Sequence, residues 1–158
     1  PDPRVKIAPD ALARQFALAR KVEASTVEVG DALKEAGKLS AALSARLPDS
    51  GAQRSEIEAL LQKIADVTGT PLKPNPYASF NSALPRADDL KSLLKDFGRL
   101  DGAVDGADAD PSTDALASYE TLRKLLAATL AEWDRIKKGD LAELNAHLVA
   151  SGQKAVSL

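Results

Sequence analysis

The sequence contains no cysteine, which excludes disulfides, zinc–thiolate centres and thiol catalysis. Methionine is also absent, even at residue 1. On that ground the chain is expected to be an excerpt or a processed product, with any targeting peptide upstream of Pro1. Histidine occurs once, at His147, and without a second imidazole or a thiolate it cannot anchor a zinc or haem site of the usual kinds. Aromatic residues make up only 4% of the chain, so the core has to be aliphatic. Leu, Ala and Val supply it, and the first two favour helix over sheet. No apolar run approaches the ~20 residues of a membrane span. Neither sign of charge dominates, with 21 basic and 23 acidic residues interspersed for a net charge of -2. A phosphate-backbone binder would carry a basic stripe, and a membrane-surface helix a polybasic face. Neither a nucleic-acid nor a membrane partner is therefore expected.

What is present is helical periodicity. The 158 residues, 44% hydrophobic and 28% charged, suffice for one domain with a real core. The organising stretch runs over residues 111–151, where Leu116, Tyr119, Leu122, Leu126, Leu130 and Trp133 recur at threes and fours, the step that keeps one helix face apolar. Leu141, Leu144 and Leu148 resume the stripe beyond Gly139, which is read as a bend, and Gly152 ends it. Residues 1–8 read as an extended lead-in arm, and Pro9 suits the first helical position. From there Leu12, Phe16, Ala19, Val22, Thr26, Val29, Leu33, Ala36, Ser40, Leu43 and Leu47 predict a helix over 9–47, roughly 57 Å long at ~1.5 Å per residue. Gly30 and Gly37 inside it are read as points of close packing or slight bending. A turn at Pro48–Gly51 precedes a helix over 53–68 with Ile57, Leu60, Leu61, Ile64 and Val67 on its face, and Ser55 with Glu58 fits a capping box. Residues 70–85, with four prolines, form an irregular loop in which Tyr77 and Phe80 are expected to pack. A third helix over 85–104 faces inward with Leu90, Leu93, Leu94, Phe97 and Leu100.

These elements predict an all-α, single-domain chain over 1–158. Two arrangements fit. In an up-down-up-down four-helix bundle the two long helices run antiparallel and two short ones cover half of them, while the loop covers the rest. In a three-helix bundle the second and third helices lie end to end as one interrupted middle helix. The length of the loop favours the first, which requires Pro9 and Leu148 to lie at the same end.

Candidate sites thin out on inspection. Asp101, Asp105, Asp108 and Asp110 suggest a calcium loop, but counting from Asp108 the sixth residue is Thr113 rather than Gly and the twelfth is Tyr119 rather than Glu, so the ligand pattern fails. Acidic residues there suit the positive end of the last helix. Glu143 and His147 are four apart and lack the counterpart a di-iron bundle needs. Ser92 with Lys95 and Ser151 with Lys154 match the spacing of penicillin-recognising enzymes without their partner motifs. Trp133 reads as core rather than as a ligand anchor. No catalytic, cofactor or metal residue is assigned.

Several stretches nevertheless carry a resemblance. Pro1-Asp-Pro-Arg-Val5 with Lys6, Asp105-Gly-Ala-Asp-Ala-Asp-Pro111 followed by Ser112-Thr113, Trp133, and Leu141-Ala-Glu-Leu-Asn145 through Leu148 to Gly152 resemble the C-terminal helical region of large bacterial multi-β-propeller proteins. These are related to sortilin-like and sialidase-like repeat proteins and are often labelled glycosyl hydrolases. The sequence departs from that pattern at Ala8, where Ser or Thr would cap the first helix, and at Ser112, which intervenes in a Pro-Thr turn. The resemblance implies a non-catalytic structural or interaction domain of a secreted or periplasmic parent, whose hydrolase site, if any, would lie in the propellers. Its partners would be neighbouring domains or another protein. The rival expectations are a stand-alone helical adaptor that binds a partner protein through an exposed groove, and an enzyme or metal-binding bundle, which the residue inventory disfavours.

Overall fold

The computed structural model describes residues 8–47, 51–70, 88–106 and 109–157. The lead-in arm Pro1–Ile7, the turn at Pro48–Ser50, Tyr77 and Phe80 of the proline-rich loop, and Asp108 lie outside the described residues. Every regular element described is helical: α1 (Pro9–Arg46), a short 3₁₀ turn (Gly51–Gln53), α2 (Arg54–Thr68), α3 (Leu90–Asp105), α4 (Thr113–Arg135), a π turn (Ile136–Asp140) and α5 (Leu141–Ala150). The chain is an all-α helical bundle. The last three elements follow one another without interruption and make a second long rod beside α1.

Helix α1 begins with Pro9 at its first turn, after Ala8 in extended conformation and without a side-chain cap. Its buried residues are Ala11, Gln15, Leu18, Val22, Ser25, Val29, Ala32, Ala36, Leu39 and Leu43. Their steps of four and three alternate throughout, the heptad seam of a supercoiling helix. The stripe expected from the sequence shares Val22, Val29, Ala36 and Leu43 with this seam and is otherwise displaced to one side of it. Phe16, expected inside, is 64% exposed. The displacement arises because this alanine-rich helix carries apolar residues on several faces, so that Leu18 and Leu39 compete with Leu12 and Leu33, and because buried Gln15 and Ser25 fill seam positions that apolarity does not reveal. Gln15 Nε2 donates to the Val104 carbonyl at 2.7 Å, and Ser25 Oγ to the Lys21 carbonyl at 2.9 Å.

Close packing at Gly30 and Gly37 is also corrected, since a Cβ built at either meets nothing within 4 Å. Replacing both with alanine should raise stability by about 1–2 kcal/mol, at ~1 kcal/mol or less per site. Urea denaturation of the double variant measures this, and a loss of stability would show that the glycines serve a purpose the packing does not reveal.

Helix α2 buries Ile57, Leu60, Leu61, Ile64 and Val67 as expected. It starts at Arg54, so Ser55 is already inside the first turn and the capping box does not form; Glu58 instead pairs with Arg54 at 3.5 Å. Gly69 ends α2 in the left-handed region at φ 68°, as a helix C-terminus with glycine does. Helix α3 starts at Leu90, later than the expected Pro85, because Asp89 caps it by accepting from the Ser92 N–H at 2.8 Å. Helix α4 is capped by Ser112, whose Oγ accepts from the Ala115 N–H at 3.1 Å.

The long rod changes phase in its middle. Leu126, Thr129, Trp133 and Ile136 are buried at steps of three and four, and the next buried positions are Leu141, Leu144 and Leu148. The step of five from Ile136 to Leu141 is absorbed by the π turn, in which the Leu141 N–H bonds to the Ile136 carbonyl. One extra residue in the turn keeps both leucine-rich halves facing the core. Gly139, where a bend is expected, lies within this π turn.

Cross-links between distant residues fix the directions of the columns. Arg14 meets Asp110, Glu28 meets Arg123, Glu35 meets Trp133 and Lys137, and Arg46 meets Lys154 and Ala155. Numbers rise together along both members, so the two long rods are parallel. The short helices oppose them: Gln53 meets Ser151, Glu56 meets His147 and Lys63 meets Asp140, while Gln15 meets Val104 and Thr129 meets Asp88. Helices α2 and α3 therefore stack end to end, joined where Gly69 faces Asp89. This corrects the antiparallel pairing of the long helices in the four-helix arrangement and matches the alternative with an interrupted middle column. The physical reason is that two halves stacked end to end supply one column approaching the length of α1, which buries most of both long seams.

Candidate functional site

A groove of about 780 Å³ lies between α1 and the other long rod, lined by Asp31, Lys34, Glu35, Lys38, Leu130, Trp133, Asp134 and Lys137 among others. It lies where the π turn begins. Lys137, the second residue of the turn, reaches Glu35 of α1, and at the other end of the same turn Asp140 meets Lys63 of α2 at 2.6 Å.

Trp133 is buried, at 2% exposure, and forms a wall rather than an open platform. Its Nε1–H donates to Glu35 Oε2 at 2.8 Å. Lys137 Nζ donates to the same oxygen at 2.9 Å, sits 5.4 Å from the indole centroid, and pairs with Asp134 at 3.1 Å. Asp134 in turn takes Lys138 at 2.8 Å. The hydrogen bond from Lys137, helped by that from Trp133, holds the Glu35 carboxyl below its ordinary pKa against the effect of burial. Partial burial works against the charge on Lys137, but the bonds to Glu35 and Asp134 together outweigh it and raise its pKa. The Lys138 and Lys137 ammoniums pull Asp134 down. All three groups move away from neutrality, whereas a general acid or base works best with its pKa near the operating pH. At neutral pH this cluster is a set of fixed charges that ties one column to the other.

The residues singled out from sequence are dispersed. Asp110 accepts a two-pronged bond from Arg14, with distances of 2.9 and 2.7 Å, and the guanidinium lowers its pKa. Asp101 and Asp105 lie exposed on α3. Ser92 Oγ bonds to Asp89 at 3.0 Å as part of the α3 cap, while Lys95 points to solvent. Ser151 Oγ donates to the His147 carbonyl and accepts from Gln53. Among the described residues no group of three or more His, Asp or Glu side chains is placed to hold a metal ion. No described helix is long and apolar enough to cross a membrane.

His147 Nδ1 lies 2.8 Å from Glu56 Oε2. The bond to Glu56 and its negative charge, with a smaller contribution from Glu143, raise the imidazole pKa against slight desolvation. Lys63 and Asp140 line the same small cleft. Because the folded pKa lies above the unfolded value of about 6.5, the stabilisation is complete below that value and is lost as pH rises through the folded pKa. An NMR titration of His147 should give a pKa above 6.5, falling toward it in Glu56→Gln; an unchanged value in that variant would show the pair is not formed.

The cluster of Glu35, Trp133 and Lys137 was not legible in the sequence beyond the tryptophan itself. The available signal was the spacing Trp133-Asp134 with Lys137-Lys138, which puts i,i+3 and i,i+4 charge pairs beside the only indole. Comparison with family models, with curated proteins and with solved structures finds no match to this chain.

Proposed function

We propose that this chain is a non-catalytic helical structural domain of a larger secreted or periplasmic protein of the multi-β-propeller, sortilin-like and sialidase-like class. In that setting it caps or props the propellers and touches neighbouring domains of the same parent. One observation carries the reading: the residues behind the resemblance in the last helix serve a single structural device. Asn145 bonds to both backbone groups of Val156, Leu148 is fully buried, and Gly152 at φ 76° turns the chain back. The turn is closed by bonds from Gln153 N–H to the Leu148 carbonyl at 2.8 Å and from Gly152 N–H to the Val149 carbonyl at 3.0 Å, a paired helix stop. Such a motif marks a way of finishing a bundle, not a reaction.

The test is the messenger upstream of the Pro1 codon, combined with assays of the purified chain. Propeller repeats behind a signal peptide are expected, together with no turnover of aryl glycosides or peptides above blank. A start codon adjoining Pro1 without repeats would favour the stand-alone adaptor, and turnover by the purified chain would make it an enzyme; either overturns the proposal.

A further inference from the structure

The segment that follows the last helix is held in an unusual manner. Residues 153–157 have no regular structure, and of these only Val156 is buried, at 5% exposure. Their backbone is nonetheless read by side chains of the bundle. Arg46 donates to the carbonyls of Lys154 and Ala155, the second at 3.1 Å. The Asn145 carboxamide donates to the Val156 carbonyl at 2.9 Å and accepts from the Val156 N–H at 2.7 Å, the reciprocal pair that a neighbouring strand would offer. Four backbone groups of three consecutive residues are thus satisfied by two side chains, and the Val156 side chain joins the apolar cluster that contains Leu43 and Leu148. Backbone hydrogen bonds combined with a pocket for one side chain are how proteins bind extended peptides.

We propose that Arg46, Asn145 and the part of the apolar cluster that receives Val156 form a docking site for an extended peptide bearing a β-branched aliphatic residue, and that the chain fills this site with its own segment around Val156. The site goes beyond the structural role proposed above and does not depend on it. The segment is a ligand held in cis rather than a core element. Its neighbours Lys154, Ala155 and Ser157 are exposed, so Val156 is the one buried side chain that detachment withdraws from the bundle, leaving its apolar socket open, and Ser151 and Gly152 form the turn from which it departs. Segments with so few buried contacts open locally at far less cost than the helices beneath them. A free peptide lacks the effective concentration that the covalent link supplies, which is of the order of millimolar for short linkers, so it should bind weakly and only once the resident segment is displaced.

The experiment is an NMR titration of the full chain carrying Val156→Asp, whose segment is released, with the synthetic peptide Gly-Gln-Lys-Ala-Val-Ser-Leu. Saturable shifts of the Asn145 side-chain amide and the Arg46 Nε–H are expected. At least tenfold weaker binding is expected for the unmodified chain, and none for the same peptide with Asp in place of Val. A folded V156D chain that shows no shift at millimolar peptide would overturn the proposal. Hydrogen exchange on the unmodified chain tests it independently of that variant's folding. The Val156 amide should exchange by local opening, at least tenfold faster than that of Leu148; exchange of both only through global unfolding would make the segment part of the core and overturn the proposal equally.

Discussion

Replacing Trp133 with alanine should destabilise the protein by about 3–5 kcal/mol, the usual cost of emptying a large buried aromatic site. Several physical effects act together at this position. The indole is 2% exposed, so its apolar surface is lost from the core and a cavity remains in the seam that also holds Leu126 and Ile136. Its N–H also disappears from Glu35 Oε2, which it reaches at 2.8 Å, and Lys137 loses the ring beneath it. Glu35 keeps its bond to Lys137, so no bare buried charge is created and the loss stays within the range for apolar truncation. For a chain of this size, at ~2–4 °C per kcal/mol, the melting temperature should fall by roughly 6–20 °C. Trp133→Phe separates the contributions: it retains most of the volume and should lose only about 1 kcal/mol for the hydrogen bond. Thermal denaturation followed by circular dichroism decides, and an alanine variant melting within two degrees of the parent would show that Trp133 faces solvent.

Gly69→Ala should cost roughly 2–3 kcal/mol even though it adds a single methyl group. The residue sits at φ 68°, where a side chain costs ~1–2 kcal/mol. A Cβ there would lie 2.2 Å from Asp89 Oδ1, and that carboxylate cannot swing aside freely. It is buried at 5% exposure and caps α3 through the Ser92 N–H and hydroxyl. Displacing it forfeits the cap, about 1 kcal/mol more. The junction between the two short helices is thus specified from both sides, by a glycine that ends one and an aspartate that starts the other. Asp89→Ala alone should cost only the cap, ~1 kcal/mol. Chemical denaturation of both variants checks the order. A Gly69→Ala variant no less stable than Asp89→Ala would mean that the two short helices do not meet as described.

The helices themselves were largely legible because apolar steps of three and four survive in each of them. Ile57, Leu60, Leu61, Ile64 and Val67, and Leu90, Leu93, Phe97 and Leu100, all point inward as their spacing requires. The phase of α1 was not legible. An alanine-rich helix has apolar residues on several faces, and Gln15 and Ser25 occupy seam positions through hydrogen bonds that no hydropathy pattern encodes. The direction of the last rod was equally hidden, since periodicity is the same whichever way a helix runs, and the length of a connecting loop does not reveal where its ends meet. The phase change at the π turn did leave a mark, the step of eight from Trp133 to Leu141, although it reads as a bend until the buried Ile136 is added. The cluster around Glu35 depends on contacts between residues about a hundred positions apart, which only the fold brings together. Asn145 was visible as part of a motif, and its pairing with Val156 was not.

All of these assignments depend on the parallel course of the two long rods, and the absence of cysteine makes that course directly measurable. Spin labels placed at Ala13→Cys with Ser118→Cys, and at Ala13→Cys with Ala146→Cys, all at exposed positions, can be separated by pulsed electron paramagnetic resonance. Parallel rods predict about 20 Å for the first pair and roughly 45 Å for the second, from a rise of ~1.5 Å per residue. The reverse order, with Ala13 near Ala146 and far from Ser118, would contradict the account.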